Sequence, residues 1–506
     1  MMAIADVLDL IDRVDLIRLD LGRRLDPKRR AEMGQFFTPA PIARFLAEFS
    51  ETTADEVRLL DPGAGIGTLS AAWIARACSH DRRPNRIRLA AYEADPNLTP
   101  YLYQTVEDCA ATCKSAGIDF EGEILEVDFI RAAVDAIAER PLIDGRSARP
   151  AFNCAILNPP YRKLHSKSDT RRILRSIDIE TSNLYTAFLW LVFRLLEANG
   201  EMIAITPRSF CNGPYFRPFR EAFLREMTLR RVHVFESRKI AFKDADVLQE
   251  NIIFRAIKGK RGGTTVISSS AGPGDPDIYD REVPDDELIG KADSVIHIVP
   301  DSIGKRFAER VNEFPATLID LGVQVSTGRV VDFRVRDALA FETNGETVPL
   351  IYPAHFAGGY IAWPKPGKKP NYLKVKPSTE NLLVAPGIYV LVKRFSAKEE
   401  KHRVTAAVCD PARLPDTDYG FENHLNYFHC KGHGLPAALA KGLAAYLNST
   451  LIDSYFRQFS GHTQVNAWDL RNLKYPDAET LERIGERIGD TFPEQQRIDA
   501  IIGEVN

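Results

Sequence analysis

The sequence predicts an α/β fold with a mostly parallel sheet, followed by a second domain of different architecture. Between residues 40 and 260, short apolar runs alternate with helical patterns, as in chains whose parallel strands are joined by helices. Two of these runs end in segments suited to binding, a glycine-rich loop at 61–67 and the tetrapeptide Asn158-Pro159-Pro160-Tyr161. Both segments should lie at the carboxyl edge of the sheet, where α/β folds bind their ligands.

Composition sets the class of protein and its compartment. A chain of 506 residues, 44% hydrophobic and 27% charged, is an ordinary globular protein long enough for two domains. No apolar stretch is long enough to cross a membrane, and the aspartates among the first twenty residues exclude a signal peptide. Seven cysteines without a CxxC pair or zinc spacing fit a reducing cytoplasm, so we expect a cytoplasmic protein with no metal site.

The elements follow from apolar spacing in chain order. Helical spacing from Ile4 to Val14 predicts an opening helix within residues 1–30. The strands of the first domain, residues 31–260, are predicted at 57–60, 87–92, 122–127, 151–157, 201–206, 229–235 and 251–256. Helices are predicted between them, for example at 184–198 and 215–225.

The rest of the chain has a different pattern. Residues 261–314 are rich in Pro, Gly and Asp, which predicts a linker or an exposed insertion. Within residues 315–506, short β-rich runs at 388–394 and 403–408 lie among Gly/Pro turns. Helical segments near 435–448 and 478–488 follow, so this part is predicted to be a second, mixed α/β domain.

The Asn158-Pro159-Pro160-Tyr161 loop has a specific chemical capability. The two prolines lack amide hydrogens and have fixed φ angles, so they end the strand and stiffen the loop. A stiff loop can hold a side-chain amide oxygen, a prolyl carbonyl and an aromatic face in a fixed relation. Two acceptors and a ring suit a flat heterocycle that bears an amino group, such as adenine. For this tetrapeptide by itself, a plain proline-rich turn is the alternative.

The glycine loop and two acids form a second pattern. Gly63, Gly65 and Gly67 permit a tight turn and a close approach of the backbone to a ligand. The third glycine of G-x-G-x-x-G is absent, and there is no phosphate-binding GK[ST] segment. Glu93 and Asp128 follow the second and third predicted strands, where they could accept hydrogen bonds from the ribose and the adenine of a nucleoside cofactor. Each acid by itself could equally be a solvated strand end.

Taken in order, these segments resemble the motifs of the gamma-class DNA adenine-N6 methyltransferases of type II restriction–modification systems. The matching segments are Gly34-Gln35-Phe36-Phe37-Thr38-Pro39, the loop 61–67, Glu93, Asp128, Asn158-Pro159-Pro160-Tyr161, 182–189, 205–207 and 216–221. The resemblance implies a Rossmann-like S-adenosylmethionine-dependent methyltransferase domain and a C-terminal target-recognition domain that reads double-stranded DNA.

The resemblance also implies a role for each motif in cofactor binding. Phe36, Phe37 and Thr38 would close over the methionine end of S-adenosylmethionine, and Asp61 would lie near its ammonium group. Glu93 would bind the ribose and Asp128 the cofactor adenine. The residues implied to bind the cofactor are therefore Phe36, Thr38, Asp61, Gly63, Gly65, Glu93, Asp128 and Asn158.

For the reaction, the resemblance implies an adenine flipped out of the duplex. Tyr161 and Phe216 would stack on this base, with Phe210 and Tyr215 as competitors for the second position. Asn158 Oδ1 and the Pro159 carbonyl would accept the two N6 hydrogens. Aspartate at position 158 keeps an acceptor, so Asn158→Asp should retain partial activity, whereas Asn158→Ala should lose it.

Charge distribution predicts where DNA is gripped, although the net charge is −3. Residues 162–175 hold six basic side chains against one acid, directly after the catalytic loop. The predicted phosphate contacts are Arg162, Lys163, Lys167, Arg171 and Arg172, with a solvated loop as the alternative. Near the end of the chain, Gln464, Asn466 and Arg471 could read base edges, with a structural role as the alternative.

Three other functions compete with this prediction. RNA and protein-glutamine methyltransferases share the Asn-Pro-Pro-Tyr motif, but they usually lack a C-terminal domain of this size. A non-catalytic DNA-specificity module conflicts with the intact motifs. A fused nuclease lacks a convincing PD…(D/E)xK segment, so we expect methylation without cleavage, with any restriction endonuclease encoded separately. We expect a monomer with no membrane partner.

Overall fold

The protein consists of two compact units, residues 1–300 and residues 301–506. The computed structural model describes residues 9–24, 37–138, 151–235, 251–259, 262–275, 277–290, 294–298, 307, 309–343, 346–396, 400, 402–459 and 464–504. The first unit has one sheet and two hydrophobic cores, and the second unit has separate sheets and cores. The candidate site lies in the first unit.

A nine-stranded sheet forms the centre of the first unit. Its strands are β1 (Glu56–Asp61), β2 (Arg86–Tyr92), β3 (Asp119–Leu125), β4 (Phe152–Leu157), β5 (Leu196–Pro207), β6 (Met227–Phe235), β7 (Asn251–Lys258), β8 (Thr264–Ser270) and β9 (Tyr279–Pro284). The spatial order is β3-β2-β1-β4-β5-β7-β6-β8-β9. Strands β1 to β5 run parallel, whereas β7 is antiparallel to both of its neighbours. The carboxyl ends of the first five strands therefore meet at one edge.

Helices cover both faces of this sheet. They are α1 (Leu10–Arg24), α2 (Ala40–Ala47), α3 (Thr68–Ser79), α4 (Thr99–Ala116), α5 (Phe129–Ala138), α6 (Asp169–Arg175), α7 (Leu184–Leu195), α8 (Arg217–Glu226) and the short α9 (Asp285–Leu288). Helices α1 to α4 bury their apolar residues in one core, and α5, α7 and α8 bury theirs in a second core. The sequence prediction of an α/β fold with a mostly parallel sheet is confirmed.

The described part of the opening helix agrees with the apolar spacing. It runs from Leu10 to Arg24, and Leu10, Ile11 and Val14 are buried in the same core as α2 to α4. Ile4, Val7 and Leu8 lie outside the described residues. The described part of this helix is thus packed as one layer of the first unit.

The polar segment that composition predicts to be a linker forms part of the sheet instead. Strand β8 pairs parallel with β6, and β9 pairs antiparallel with β8. Hydrogen bonds explain how so polar a strand is buried, because Ser268 and Ser270 bond the two ring nitrogens of His233 at 2.8 and 3.0 Å. Burial lowers the pKa of His233 to about 3, so the imidazole is neutral in this network. The polar sequence of this segment therefore did not indicate that β8 is buried.

The second unit contains two further sheets. A six-stranded sheet has the order β10-β20-β17-β18-β14-β13, and a five-stranded sheet has the order β11-β15-β12-β19-β16. The strands are β10 (Gln324–Thr327), β11 (Leu339–Ala340), β12 (Thr347–Ile351), β13 (Phe356–Ala357), β14 (Tyr360–Ile361), β15 (Tyr372–Lys374), β16 (Leu383–Val384), β17 (Tyr389–Lys393), β18 (Ala406–Cys409), β19 (Tyr419–Phe421) and β20 (Leu425–His429). The predicted strand at 388–394 corresponds to β17, and the one at 403–408 overlaps β18.

Helices pack against the six-stranded sheet to form the main core of this unit. They are α10 (Ala437–Leu447), α11 (Thr450–Phe459), α12 (Ala467–Asn472), α13 (Ala478–Glu486) and α14 (Gln495–Gly503). Helices α10 and α13 approach closely at two glycines: a Cβ on Gly442 would lie 1.8 Å from the Leu481 carbonyl oxygen, and one on Gly485 the same distance from that of Ala438. The predicted mixed α/β architecture of this unit is confirmed.

Candidate active site

A cleft of about 190 Å³ opens at the carboxyl ends of β1 to β4. Each of these four strands contributes residues that follow its last position. The lining includes Gly63 and Gly65 after β1, Glu93 and Asp95 after β2, Asp128 after β3, and Asn158 and Pro160 after β4. The parallel sheet therefore brings together most of the strand-end residues that the sequence predicts.

The glycine loop takes a backbone conformation that side chains would resist. Gly65 and Gly67 have positive φ angles of 58° and 83°. A Cβ on Gly67 would also lie 2.8 Å from the Thr105 Cγ2 atom. The loop is tied to the end of β2, since the Ala64 N–H donates to the Tyr92 carbonyl at 2.9 Å. Glycine at position 65 leaves the cleft side of the loop open to a ligand, and glycine at position 67 permits close packing of the loop against α4.

Glu93 joins the glycine loop to the turn after β2. Its Oε2 accepts the Gly65 N–H at 2.8 Å and its Oε1 accepts the Asp95 N–H at 2.7 Å. The side chain is only 8% exposed, and this burial raises its pKa. Each carboxylate oxygen can accept more than one hydrogen bond, so Glu93 keeps acceptor capacity toward hydroxyl groups in the cleft.

Asp128 and an aromatic wall lie on the β3 side of the cleft. Asp128 is exposed just before α5, and its Oδ1 accepts the Arg131 N–H at 3.1 Å. The buried Phe129 ring packs 5.2 Å from the rings of both Tyr92 and Phe188. A carboxylate at the edge of an apolar wall suits a flat base that carries an amino group.

Asp61 lies at the end of β1 but does not line the cleft. Its carboxylate is 1% exposed and accepts the Ser70 hydroxyl at 2.7 Å. Burial, which removes the charge from water, raises its pKa to about 7. The contact with a cofactor ammonium group remains a prediction, while the structure gives Asp61 a bond to the start of α3.

These groups fit S-adenosylmethionine by their chemistry. Backbone N–H groups and open glycines lie beside a carboxylate that suits the ribose hydroxyls, and an aromatic wall with Asp128 suits the adenine. Phe37 lines the same cleft, Thr38 is buried beside Asn158, and Phe36 lies outside the described residues.

The Asn158-Pro159-Pro160-Tyr161 loop is fixed by side-chain hydrogen bonds. Asn158 Nδ2 donates to Thr38 Oγ1 at 3.0 Å, and Asn158 Oδ1 accepts the Tyr161 hydroxyl at 2.9 Å. The same hydroxyl lies 3.2 Å from the Ile205 carbonyl oxygen. Burial raises the pKa of Tyr161 far above its ordinary value, so the phenol stays neutral and remains a donor. The amide oxygen of Asn158, a residue that lines the cleft, thus accepts a hydrogen bond from a neutral phenol.

Tyr161 lies at one end of a row of three aromatic rings. Tyr185 on α7 contacts Tyr161 edge-on at 6.2 Å and contacts Phe216 at 5.6 Å. Phe216 is 8% exposed and its neighbour Tyr215 is 83% exposed, while Phe210 is fully buried among other phenylalanines. The structure therefore links Phe216 to Tyr161 through Tyr185. The role of Tyr185 at the site could not be predicted from the sequence, because a tyrosine inside an apolar helix has the pattern of a core residue.

The basic run after the Asn158-Pro159-Pro160-Tyr161 loop divides into two sets. Arg162, Lys163 and Lys167 are exposed. Arg171 instead forms an ion pair with Glu180, and Arg172 forms one with Asp169 at 2.8 Å. Sequence reasoning counted one acid in this run and could not include Glu180, which lies beyond it. To bind a DNA phosphate, Arg171 and Arg172 would first have to break their ion pairs with Glu180 and Asp169.

The three candidate base readers lie in the second unit. Gln464 forms an isolated bridge with Phe395. Asn466 precedes α12, and its backbone N–H donates to Asp469 Oδ2 at 2.8 Å. Arg471 is exposed, and its Nη2 donates to the Val325 carbonyl at 2.8 Å. These contacts show that the segment has a structural role, which was the alternative to base reading.

The described residues contain neither a metal-binding cluster nor a membrane-spanning helix. In the described part of the chain, no group of three or more His, Cys, Asp or Glu side chains is placed to hold a metal ion. Among the described helices, none is both long enough and apolar enough to span a membrane.

Comparison with known proteins identifies the family. The family model described as Eco57I restriction-modification methylase matches residues 103–242. The type II methyltransferase M.PstI of Providencia stuartii is 44% identical over 497 residues, 97% of this chain and 96% of that one. The type II methyltransferase M.BsuBI of Bacillus subtilis is 41% identical over 502 residues, 98% of both chains.

One solved structure shows the likeness of fold. The type IIL restriction-modification enzyme MmeI, solved in complex with DNA, aligns with a TM-score of 0.52 at 11% identity, over 92% of this chain and 72% of that one. The relatives and the fold agree with the resemblance carried by the motifs, and they lend no support to the RNA or protein-glutamine alternative. The chain belongs to the type II DNA methyltransferases of restriction–modification systems.

Proposed function

We propose that this enzyme transfers the methyl group of S-adenosylmethionine to N6 of an adenine in duplex DNA. The observation that carries the proposal is the placement of the Asn158 amide oxygen. Asn158 lines the same cleft as Glu93, and its oxygen accepts a hydrogen bond from the Tyr161 hydroxyl at 2.9 Å. An acceptor held in this position suits an exocyclic amino group brought next to the cofactor.

The residues of the cleft would hold the cofactor by matched chemistry. Glu93 would accept the ribose hydroxyls, Asp128 the adenine amino group, and the open loop at Gly63 and Gly65 would lie against its methionine part. Phe36, Thr38 and Asp61 complete the set that the motifs imply. S-adenosylmethionine supplies a methyl group already activated on a sulfonium, so the chain's own task is to orient the acceptor.

Asn158 and Pro159 would prepare the acceptor nitrogen. The lone pair of an adenine amino group is delocalised into the ring, which makes the nitrogen a poor nucleophile. If Asn158 Oδ1 and the Pro159 carbonyl each accept one N–H, both hydrogens are drawn to one side. Preorganised acceptors of this kind favour the pyramidal nitrogen of the transition state.

Tyr161 and Phe216 would hold the flipped base by stacking. Each base–aromatic stack is worth about 1–3 kcal/mol, enough to offset part of the cost of unstacking the base from the duplex. In the structure Tyr185 contacts both rings, so we expect the base to enter by separating Tyr161 or Phe216 from Tyr185.

Contacts with DNA would come from both units. Arg162, Lys163 and Lys167 are exposed next to the catalytic loop, where they suit phosphates beside the flipped nucleotide. Arg171 and Arg172 would contribute less, because their ion pairs with acids must first be exchanged. Gln464, Asn466 and Arg471 remain our candidates for reading bases. We further propose a monomer that methylates without cleaving, with any restriction endonuclease encoded separately.

The test is methylation-sensitive sequencing of DNA from cells that express the chain, with Asn158→Ala as the control. We expect N6-methyladenine at one sequence motif with the wild-type chain and none with the variant, and partial methylation with Asn158→Asp. Methylation of cytosine, or methylation that persists in Asn158→Ala, would overturn the proposal. Magnesium-dependent cutting of unmethylated DNA by the purified chain would overturn the proposal that the chain methylates without cleaving.

A further inference from the structure

A buried carboxylate in the second unit holds a half-exposed histidine. Glu422 and His424 lie in the turn between β19 and β20. The side chain of Glu422 is 1% exposed, whereas that of His424 is 45% exposed. Glu422 Oε1 lies 2.5 Å from His424 Nδ1, and Glu422 Oε2 accepts the His424 backbone N–H at 3.0 Å. Both oxygens of the acid therefore bond the same residue.

The backbone of this turn is fixed by its neighbours. The Glu422 N–H donates to the Ile351 carbonyl at the end of β12 at 3.1 Å. The Arg394 N–H, just after β17, donates to the His424 carbonyl at 2.8 Å. A Cβ on Gly328 would lie only 2.2 Å from the Glu422 carbonyl oxygen, so this segment also packs closely against the turn. The histidine is thus carried by a turn that has little freedom to move.

The position of the acid is energetically unfavourable by itself. Burial raises the pKa of Glu422, because it removes the carboxylate from water. An apolar side chain could fill the same space without losing hydration. Among the described residues, the hydrogen bonds of this carboxylate go to His424 alone. The acid therefore has one visible effect, which is to fix the imidazole ring, whichever of the two groups holds the proton between them.

The fixed ring presents its other nitrogen beside an exposed aromatic side chain. The bond at Nδ1 leaves Nε2 for an outside group, and no described residue bonds Nε2. The imidazole packs 4.8 Å from the ring of Phe395, which is itself 46% exposed. Phe395 forms an isolated bridge with Gln464, so this surface continues to one of the candidate base readers. A polar nitrogen and an apolar ring therefore lie side by side at the surface of the second unit.

This pair fits the edge of a base pair. A neutral imidazole nitrogen can accept an amino hydrogen of adenine or cytosine, and a protonated one can donate to guanine. A phenylalanine ring makes apolar contact with the thymine methyl group. A ring that is fixed before binding loses little further freedom when it binds, which favours a directional contact. Because the chain belongs to a family of DNA methyltransferases, duplex DNA is the partner that this chemistry fits.

We propose that His424 and the adjacent Phe395 contact base edges in the recognition sequence, and that Glu422 is the positioning residue for His424. The inference rests on the proposed function, because it adds specificity-determining residues to the second unit of a DNA methyltransferase.

The first test is a binding selection from a random duplex library by the full chain, with S-adenosylhomocysteine present. Wild type should enrich one motif. His424→Ala should lose the preference at one position of that motif and should bind the wild-type motif about tenfold or more weakly. The matched control is His433→Ala, at an exposed histidine of the same unit that no described acid bonds, and it should select the wild-type motif.

The second test concerns Glu422. Glutamine keeps the shape but turns an NH₂ group toward a donor of His424, so Glu422→Gln should relax the same position of the motif as His424→Ala. In the His424→Ala background, Glu422→Gln should cause no further loss of preference. A purely structural role of Glu422 would instead weaken binding to all sequences in both backgrounds. Circular dichroism would establish that each variant is folded.

The outcomes separate this inference from the proposed function. If His424→Ala selects the wild-type motif with wild-type affinity, the base contact is overturned. If His424→Ala weakens binding equally for all sequences and lowers its salt dependence, the histidine contacts a phosphate and the base contact is again overturned. If wild type selects a motif but methylates no adenine within it, the proposed function fails, while the selection still decides the role of His424.

Discussion

Replacing Glu93 with glutamine gives a sharp test of the cofactor cleft. In the structure both carboxylate oxygens are engaged, one with the Gly65 N–H at 2.8 Å and the other with the Asp95 N–H at 2.7 Å. Glutamine has one oxygen, so in either orientation its NH₂ group faces a backbone N–H. The proposed bond from a ribose hydroxyl to the Glu93 carboxylate would be lost or weakened as well, and a lost hydrogen bond to a charged group costs about 1.5–3 kcal/mol. We therefore expect S-adenosylmethionine to bind Glu93→Gln about 10- to 150-fold more weakly.

The measurement is titration calorimetry of S-adenosylmethionine with the full chain. Glu123→Gln is the matched control, because Glu123 is exposed on β3 and the same change there removes a charge without touching the cleft. A circular dichroism spectrum would establish that Glu93→Gln is folded. If the folded variant binds within about threefold of wild type, Glu93 does not shape the cofactor site and the reasoning is wrong.

Three further predictions concern stability and stacking. Burial raises the pKa of Asp61 to about 7 from 3.8, so its contribution to stability is present at acid pH and is lost as the pH rises through 7. In urea unfolding, the stability of Asp61→Asn relative to wild type should therefore increase by on the order of 4 kcal/mol between about pH 4 and pH 8, and a constant difference would contradict this. Phe216→Ala should raise the KM for DNA about tenfold or more, whereas Phe216→Trp should retain most activity. Tyr215→Ala, at the exposed neighbouring position, should stay close to wild type. Equal effects at the two positions would exclude the stacking role of Phe216. Gly442→Ala should lower the unfolding free energy by about 1–3 kcal/mol because its Cβ would meet backbone of α13, whereas Gly489→Ala, where a Cβ meets open space, should not.

Much of the fold was predictable because its signals are local. Each predicted strand of the first domain overlaps an observed one, since short apolar runs bounded by turn residues mark strands. Strand β8, within the segment 261–314, was not predicted because the contacts that bury it are distant in sequence. Strand β8 is polar and yet buried, and the ring of His233, which satisfies Ser268 and Ser270, comes from a different strand.

The site was predictable only in part. A parallel sheet brings the residues after β1 to β4 to one edge, so Gly65, Glu93 and Asp128 could be placed in one cleft from their order alone. Their individual partners could not be predicted. Sequence order did not reveal that Asp61 bonds Ser70 beneath the loop, or that Arg171 pairs with Glu180.

The sequence by itself determined which chemistry is possible: a stiff Asn158-Pro159-Pro160-Tyr161 loop after a buried strand, with glycines and acids after its neighbours. It could do so because strand ends and prolines act over a few residues. Only the tertiary structure decided how Asn158 is held, since Thr38 lies 120 residues away and the bond between them depends on how α2 packs against the sheet. Hydrogen bonds act over about 3 Å, so the partner of a side chain is settled by packing and not by its neighbours in the chain.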